Sequence, residues 1–311
     1  MKAVQINQYG DNSVIEINEE VAKPEVSAGK VLVEVHAASV NPADWKIREG
    51  YLKEMLQLEF PAILGVDFSG VVAEVGESVS EFKPGDEVYG MANPMTGGSF
   101  AEFVVVPSVS LALKPKSVLH SDAAAIPLTG LSALQVLKDQ MNISSGQKVF
   151  IHGGAGGIGA LAIQIAKQLG AEVTTTASKE DTDYVKELGA DTVIDYENEK
   201  FEDMAKDYDA VFDTIGGDTY QRSFQVLKKG GIIVSMLEEP NEKLMKQYEV
   251  ASKAQFTQPN SAQLAELATL VDEGKMKIKV DRTFPLAEVK EALDYLQNSH
   301  HQGKVLITVK Q

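Results

Sequence analysis

The chain contains no cysteine among its 311 residues, and its 29 basic residues are outnumbered by 45 acidic ones. Without cysteine there is no disulfide, no thiol nucleophile and none of the soft ligands that most often hold zinc. Such a composition fits a reducing compartment. The net charge of -16 and the pI near 4.8 repel phosphate backbones, so nucleic acid is not an expected partner. Any phosphate site must then be locally basic or built from backbone N–H groups. Long hydrophobic runs are also missing. The longest apolar stretches are broken by Gly-Gly or proline and fall short of a bilayer. The opening MKAVQINQYGDNSVIEI lacks a basic segment followed by an apolar core, so no secretory leader is expected. Together these absences predict a soluble, cytoplasmic protein with no membrane partner, in which the Asn-x-Ser match at Asn142 is chance. The five histidines (His36, His120, His152, His300, His301) show no metal-ligand spacing.

What is present is ordinary for a globular protein: 44% apolar and 24% charged residues, in a length that suggests about two domains. The first third reads as short Val-rich strands, among them KAVQI, KVLVEVHAASV, FSGVVAEV, DEVYGM and FAEFVVV. Gly, Pro, Asp and Ser punctuate them. They predict a β-rich domain, either a partly open barrel or a sandwich. From about residue 122 the rhythm changes. DAAAIPLTGLSALQVLKDQM has helical spacing, and strands then alternate with helices through GIIVSML. Repeated βαβ units predict a parallel, doubly wound sheet. The last strand, KVLITV, has no partner in that series and is expected to return to the first domain. The stretch LEEPNEKLMKQYEVASKAQF gives no clear pattern and reads as a dimer edge or a lid.

Between the apolar run VFI and the helical ALAIQIAKQLG lies HGGAGGIG. Gly154, Gly156 and Gly159 fit G-x-G-x-x-G, with Ala155, Gly157 and Ile158 completing the turn. One glycine permits the tight turn, one lets backbone approach a pyrophosphate, and one lets helix pack on strand. The helix N-terminus offers free N–H groups to the anion, which solves phosphate binding in an acidic chain. The alternative is a turn that needs glycine for packing alone. No G-x-x-x-x-G-K-[ST] occurs, so a P-loop is excluded.

Choice of dinucleotide is read about 20 residues on, where an acid usually holds the ribose 2′-OH of NAD. Here the chain has Thr174-Thr175-Thr176-Ala177-Ser178-Lys179. A hydroxyl and an ammonium suit a 2′-phosphate, which predicts NADPH as cofactor. The alternative makes Ser178 the N-cap of the next helix, with Asp181 three residues on, and leaves Lys179 in solvent. Tyr196 either covers the adenine or touches the same phosphate, or else is a half-buried strand-end tyrosine.

Taken in order, VHAASVNPADWKIREG, FPAILGVDFSGVVAEVG, FKPGDEVYG, GGSFAEFVVV, PLTGLSAL, GGAGGIG, VFDTIGG and GKVLITV resemble one family nearly end to end. That family is the zinc-independent quinone oxidoreductase (zeta-crystallin-like) branch of the medium-chain dehydrogenase/reductase superfamily. The resemblance implies an α/β fold. A GroES-like β-rich catalytic domain spans 1–122 and is completed by 260–311, with a Rossmann NADP-binding domain at 123–259. It also implies an active site in the cleft and a dimeric or tetrameric assembly, with a homodimer as the expectation. Where the zinc alcohol dehydrogenases of the superfamily have Gly-His-Glu, this chain has Gly65-Val66-Asp67. Their zinc stabilises an alkoxide. Without it the expected acceptor tolerates added electron density by itself, as quinones and activated α,β-unsaturated carbonyls do.

By the same resemblance Asn41 lies near the nicotinamide and substrate; its alternative is to cap the following turn. Lys46 stands where many relatives have tyrosine, and either donates a proton or faces solvent. Tyr51 is a further phenol nearby. Asp67 reads as a buried, hydrogen-bonded acid, with Arg48 as a possible partner, while Asp44 and Arg48 at i, i+4 could pair with each other. Thr129 resembles the contact to the nicotinamide end, or caps the helix that follows. Lys304 is placed near the cofactor phosphates, with a plain strand-start lysine as the alternative. The expectation is an NADPH-dependent, zinc-independent reductase of a small-molecule quinone or enone. The alternative is a non-enzymatic NADPH-binding redox sensor or structural protein.

Overall fold

In the computed structural model, which describes residues 1–310, the chain divides into two compact units. One comprises Met1–Leu128, Pro259–Gly274 and Ile278–Gln311; the other comprises Thr129–Gln258 and Lys275–Lys277.

The first unit is built on a seven-stranded sheet in the order Val280–Pro285, Lys304–Thr308, Lys30–Val40, Asp67–Val75, Glu87–Met91, Leu111–Leu113. Phe103–Pro107 pairs with Lys30–Val40 off that path. Most residues of KVLVEVHAASV are buried, as expected of a β-branched strand covered on both faces. Its valines at 31, 33 and 35 pack with Phe68, Val88 and Val104. The strand Lys304–Thr308 runs antiparallel to it with Val305 opposite Val40. The closing segment therefore does return to the first unit. On its other side the same strand sets Ser39 opposite Asp67. These two registers bring residues 39–41, 67 and 304 together from three separate parts of the chain.

The second unit holds a six-stranded parallel sheet in the order Thr192–Asp195, Glu172–Ala177, Lys148–Ile151, Tyr208–Asp213, Leu227–Ser235, Ala251–Ala254. The first strand in the chain lies inside the sheet, and succeeding strands add outward on both sides. This is a doubly wound Rossmann order, with its switch point beside Lys148–Ile151. The helix Gly157–Gln168 buries Ala160, Ala162, Ile163 and Ala166.

Two segments differ from the sequence reading. The helical run from 122 is three pieces: His120–Ala124, Pro127–Leu134 and a wide turn at Gln135–Gln140. Pro127 cannot donate to a preceding helix and so starts a new one. The uninterpreted stretch contains a helix, Glu242–Tyr248, and the edge strand Ala251–Ala254 of the parallel sheet. Among the described residues, no helix is long and apolar enough to cross a membrane.

Candidate active site

The glycine turn sits at the end of Lys148–Ile151, and two of the motif glycines have a steric reason of their own. A Cβ on Gly159 would lie 2.1 Å from the Gly153 carbonyl oxygen, and one on Gly154 would lie 2.2 Å from Thr175 Oγ1. Gly153 itself has a φ of 71°, in the left-handed region. Gly156 is the N-cap, and the first intrahelical bond is Ala160 N–H to Gly156 O at 2.9 Å. The N–H groups of Gly157, Ile158 and Gly159 therefore precede the helical ladder and point out of its positive end. A backbone turn that admits no side chain at Gly154 or Gly159 and presents helix-start N–H donors fits a dinucleotide pyrophosphate.

At the end of the neighbouring strand, Ala177 pairs with Asp195, which brings Ser178 and Lys179 beside Tyr196. Lys179 is exposed and Tyr196 is 57% exposed. Ser178 is buried: its hydroxyl donates to Asp181 Oδ2 at 2.8 Å and accepts from the Asp181 N–H at 3.3 Å. The helix that follows, Thr182–Glu187, has Asp181 and not Ser178 as its N-cap, so Ser178 closes the turn before the helix, with its hydroxyl proton committed to a carboxylate. Asp181 is a neighbour of the predicted phosphate position to which the sequence reading gave only a capping role. Asp213, in the VFDTIGG motif, is a residue to which the sequence reading gave no role. Fully buried, it accepts from the N–H groups of Ile215 and Gly216 at 3.0 Å each and from Ser235 Oγ at 2.6 Å. It folds the loop after its own strand and ties it to the end of the next strand at Ser235; an acid directly before Thr-Ile-Gly-Gly was the signal for it. Thr129 is buried in the first turn of Pro127–Leu134.

In the first unit, Asp67, Asn41, Asp44 and Lys304 are enclosed together. Asp67 Oδ2 accepts from Ser39 Oγ at 2.8 Å and from Asn41 Nδ2 at 2.9 Å; Oδ1 accepts from Leu128 N–H at 2.8 Å. Lys304 Nζ donates to Val40 O at 3.2 Å and to Asn41 Oδ1, and lies 3.8 Å from Asp67 Oδ2. Lys304, expected near the cofactor phosphates, turns into its own unit, where two hydrogen bonds and the Asp67 charge hold it. Burial pushes Asp67 up and Lys304 down, and their mutual attraction opposes both shifts.

Asn41 is the N-cap of Pro42–Arg48. Asp44 Oδ2 accepts the Asn41 N–H at 2.7 Å, so this acid serves the helix start. Burial raises the Asp44 pKa to about 7; the Asn41 N–H opposes this, and the Asp67 charge adds to it. Arg48 pairs with neither aspartate. It lies at the far end of the helix, where it binds Gly10 O at 3.1 Å, Asn12 Oδ1 and Glu49. Lys46 is half-buried next to Trp45, and burial lowers its pKa. Tyr51 is 71% exposed and packs edge-on against Trp45 at 5.8 Å.

Two family models match the sequence: the alcohol dehydrogenase GroES-like domain over residues 27–116 and zinc-binding dehydrogenase over residues 188–307. The chain is 35% identical over 353 residues to the mitochondrial NAD(P)H oxidoreductase RTN4IP1 of Mus musculus, spanning 99% of this chain and 89% of that protein. It is 36% identical over 320 residues to the chloroplastic NADPH-dependent alkenal/one oxidoreductase of Arabidopsis thaliana, spanning 99% of this chain and 79% of that protein. Among solved structures, the quinone oxidoreductase from Coxiella burnetii matches with a TM-score of 0.93 at 38% identity, over 100% of this chain and 99% of that one.

The second family description implies zinc, and the donor set here does not fit it. The chain has no cysteine, Val66 precedes Asp67, and both oxygens of Asp67 are occupied by N–H and O–H donors. Among the described residues, no group of three or more His, Cys, Asp or Glu could hold a metal ion.

Proposed function

The chain belongs to the quinone oxidoreductase branch of the medium-chain dehydrogenase/reductase superfamily, with its GroES-like and Rossmann parts, and from that premise we propose that it is an NADPH-dependent, zinc-independent reductase of quinones or activated enones. The observation that carries the proposal is the backbone cradle at Gly154–Gly159, followed one strand later by Ser178 and Lys179 in place of a ribose-binding acid.

The bound nicotinamide supplies the hydride. In this reading Gly154, Ala155, Gly156, Gly157, Ile158 and Gly159 hold the pyrophosphate. Lys179 meets the 2′-phosphate with Tyr196 beside it, and Thr129 lies at the nicotinamide end. Lys304 and Asp67 act on Asn41, clamping its carboxamide by both ends. Lys46 and Tyr51 are the side chains of that region left to offer a proton to the reduced acceptor. With no donor set that fits zinc, the acceptor must spread the incoming charge over its own conjugated oxygen. The chain is further proposed to act as a cytoplasmic homodimer, although the mouse and Arabidopsis relatives carry organellar names.

Purified protein incubated with NADPH and a panel of quinones and enones tests this, alongside metal analysis of protein prepared without added metal. Turnover with no stoichiometric zinc is expected. NADPH binding without turnover on any acceptor would instead support the non-enzymatic reading.

A further inference from the structure

His152 immediately precedes the cradle, is almost wholly buried, and has no part in the reading above. Its ring packs against Phe150 at 4.6 Å and Phe201 at 4.7 Å. Both ring nitrogens face hydroxyls: Nε2 lies 2.8 Å from Ser223 Oγ, and Nδ1 lies 3.4 Å from Thr176 Oγ1.

Ser223 gives its one hydroxyl proton to Thr219 O at 2.7 Å, so towards His152 it can only accept. The imidazole proton therefore sits on Nε2, and Nδ1 is an acceptor. Thr176 Oγ1 accepts the Gly153 N–H at 3.1 Å, which leaves its own proton for Nδ1. The chain runs Gly153 N–H to Thr176, Thr176 O–H to His152, His152 N–H to Ser223, and Ser223 O–H to Thr219. Every donor has one acceptor, and no step needs a charge. Burial, with the Arg222 charge adding to it, lowers the His152 pKa to about 3 and keeps the ring neutral.

Gly153 is where this chain meets the cradle. Its carbonyl accepts the Gly156 N–H at 3.1 Å and is the atom that excludes a side chain at Gly159. The left-handed Gly153 conformation thus sets both the N-cap and the closest approach of helix to turn. We infer that His152, through Thr176, is a positioning residue that fixes Gly153 and so preorganises the cradle for the cofactor pyrophosphate. This rests on the NADPH reading above.

The test titrates NADPH by its nicotinamide fluorescence into the full chain: wild type, Thr176→Val, His152→Phe and His152→Asn. Losing one neutral hydrogen bond that orders the turn should raise the NADPH Kd up to about tenfold in Thr176→Val and His152→Phe. The kcat at saturating NADPH should change less than twofold, a split that general loss of structure would not give. His152→Asn, which keeps an acceptor for Thr176, should recover most of the affinity. In wild type, imidazole ¹⁵N shifts should report a proton on Nε2 that does not titrate between pH 5 and 9. Both Thr176→Val and His152→Phe binding NADPH as wild type does would overturn the inference. If His152→Phe does not fold, the near-isosteric Thr176→Val decides alone. A wild type that fails to bind NADPH removes the underlying reading and this inference with it, and that titration is read first.

Discussion

An ammonium enclosed with a carboxylate, a carboxamide and a peptide carbonyl has given up its hydration, so its partners decide whether it stays charged. Lys304 is in that position beside Asp67, Asn41 and Val40. Lys304→Met strands a buried carboxylate and should destabilise the chain by about 3–5 kcal/mol in denaturant unfolding, with the double variant Lys304→Met, Asp67→Asn recovering much of the loss. Asp44 gives a pH signature. Its pKa is about 7 folded against an ordinary 3.8, so between those values the folded chain keeps a proton that the unfolded chain has released. Stability must therefore fall as pH rises from about 4 to about 7, by about 4 kcal/mol for this group, and change little from it above that range. Asp44→Asn should reduce that slope and stabilise the protein at pH 8; an unchanged slope would contradict the assignment. Of this cluster, the sequence disclosed Asp67 through LGVDFSG and Asn41 through NPADWK. It did not disclose Lys304 as their partner, since that contact depends on strand register between segments far apart in the chain. The same distance hid Gly10 and Asn12 as partners of Arg48.

Elements were more legible than side-chain partners, because periodicity and glycine spacing are local. The strands KVLVEVHAASV and EVTTTA were readable almost to their ends, as was the turn that opens Gly157–Gln168. The missed strand Ala251–Ala254 is short, and three of its four residues are exposed, so it shows no apolar alternation. The joined helix from residue 122 was broken by Pro127 and a local change of pitch at Gln135–Gln140, which apolar spacing alone does not register. At the cradle, the structure adds the distances that the motif lacks. Gly159→Ala places a methyl group against the Gly153 carbonyl, and relief of that overlap should raise the NADPH Kd about 10–100-fold, equivalent to the 1–3 kcal/mol typical of overpacking. Comparable affinity in a folded Gly159→Ala protein would argue that the turn serves packing alone.

For the whole molecule, cofactor binding and stability are linked. NADPH at about 100 times its Kd should stabilise the native state by about 2.7 kcal/mol, visible as a rise in Tm. The acidic charge of -16 makes the local character of the 2′-phosphate site decisive, since the long-range field opposes that phosphate. Ser178 has committed its proton to Asp181, so discrimination falls mainly to Lys179. Lys179→Ala should weaken NADPH about tenfold, the lower end for a charge-assisted hydrogen bond at an exposed site, and leave NADH unchanged. The most direct measurement is the paired oxidation of NADPH and NADH by the purified chain with an ortho-quinone. Turnover with NADPH is expected, at a kcat/KM about tenfold above that for NADH, the value of one charge-assisted bond at an exposed site. Equal efficiency with the two nucleotides would contradict the Lys179 assignment, and no oxidation of either by quinone or enone would contradict the reductase itself.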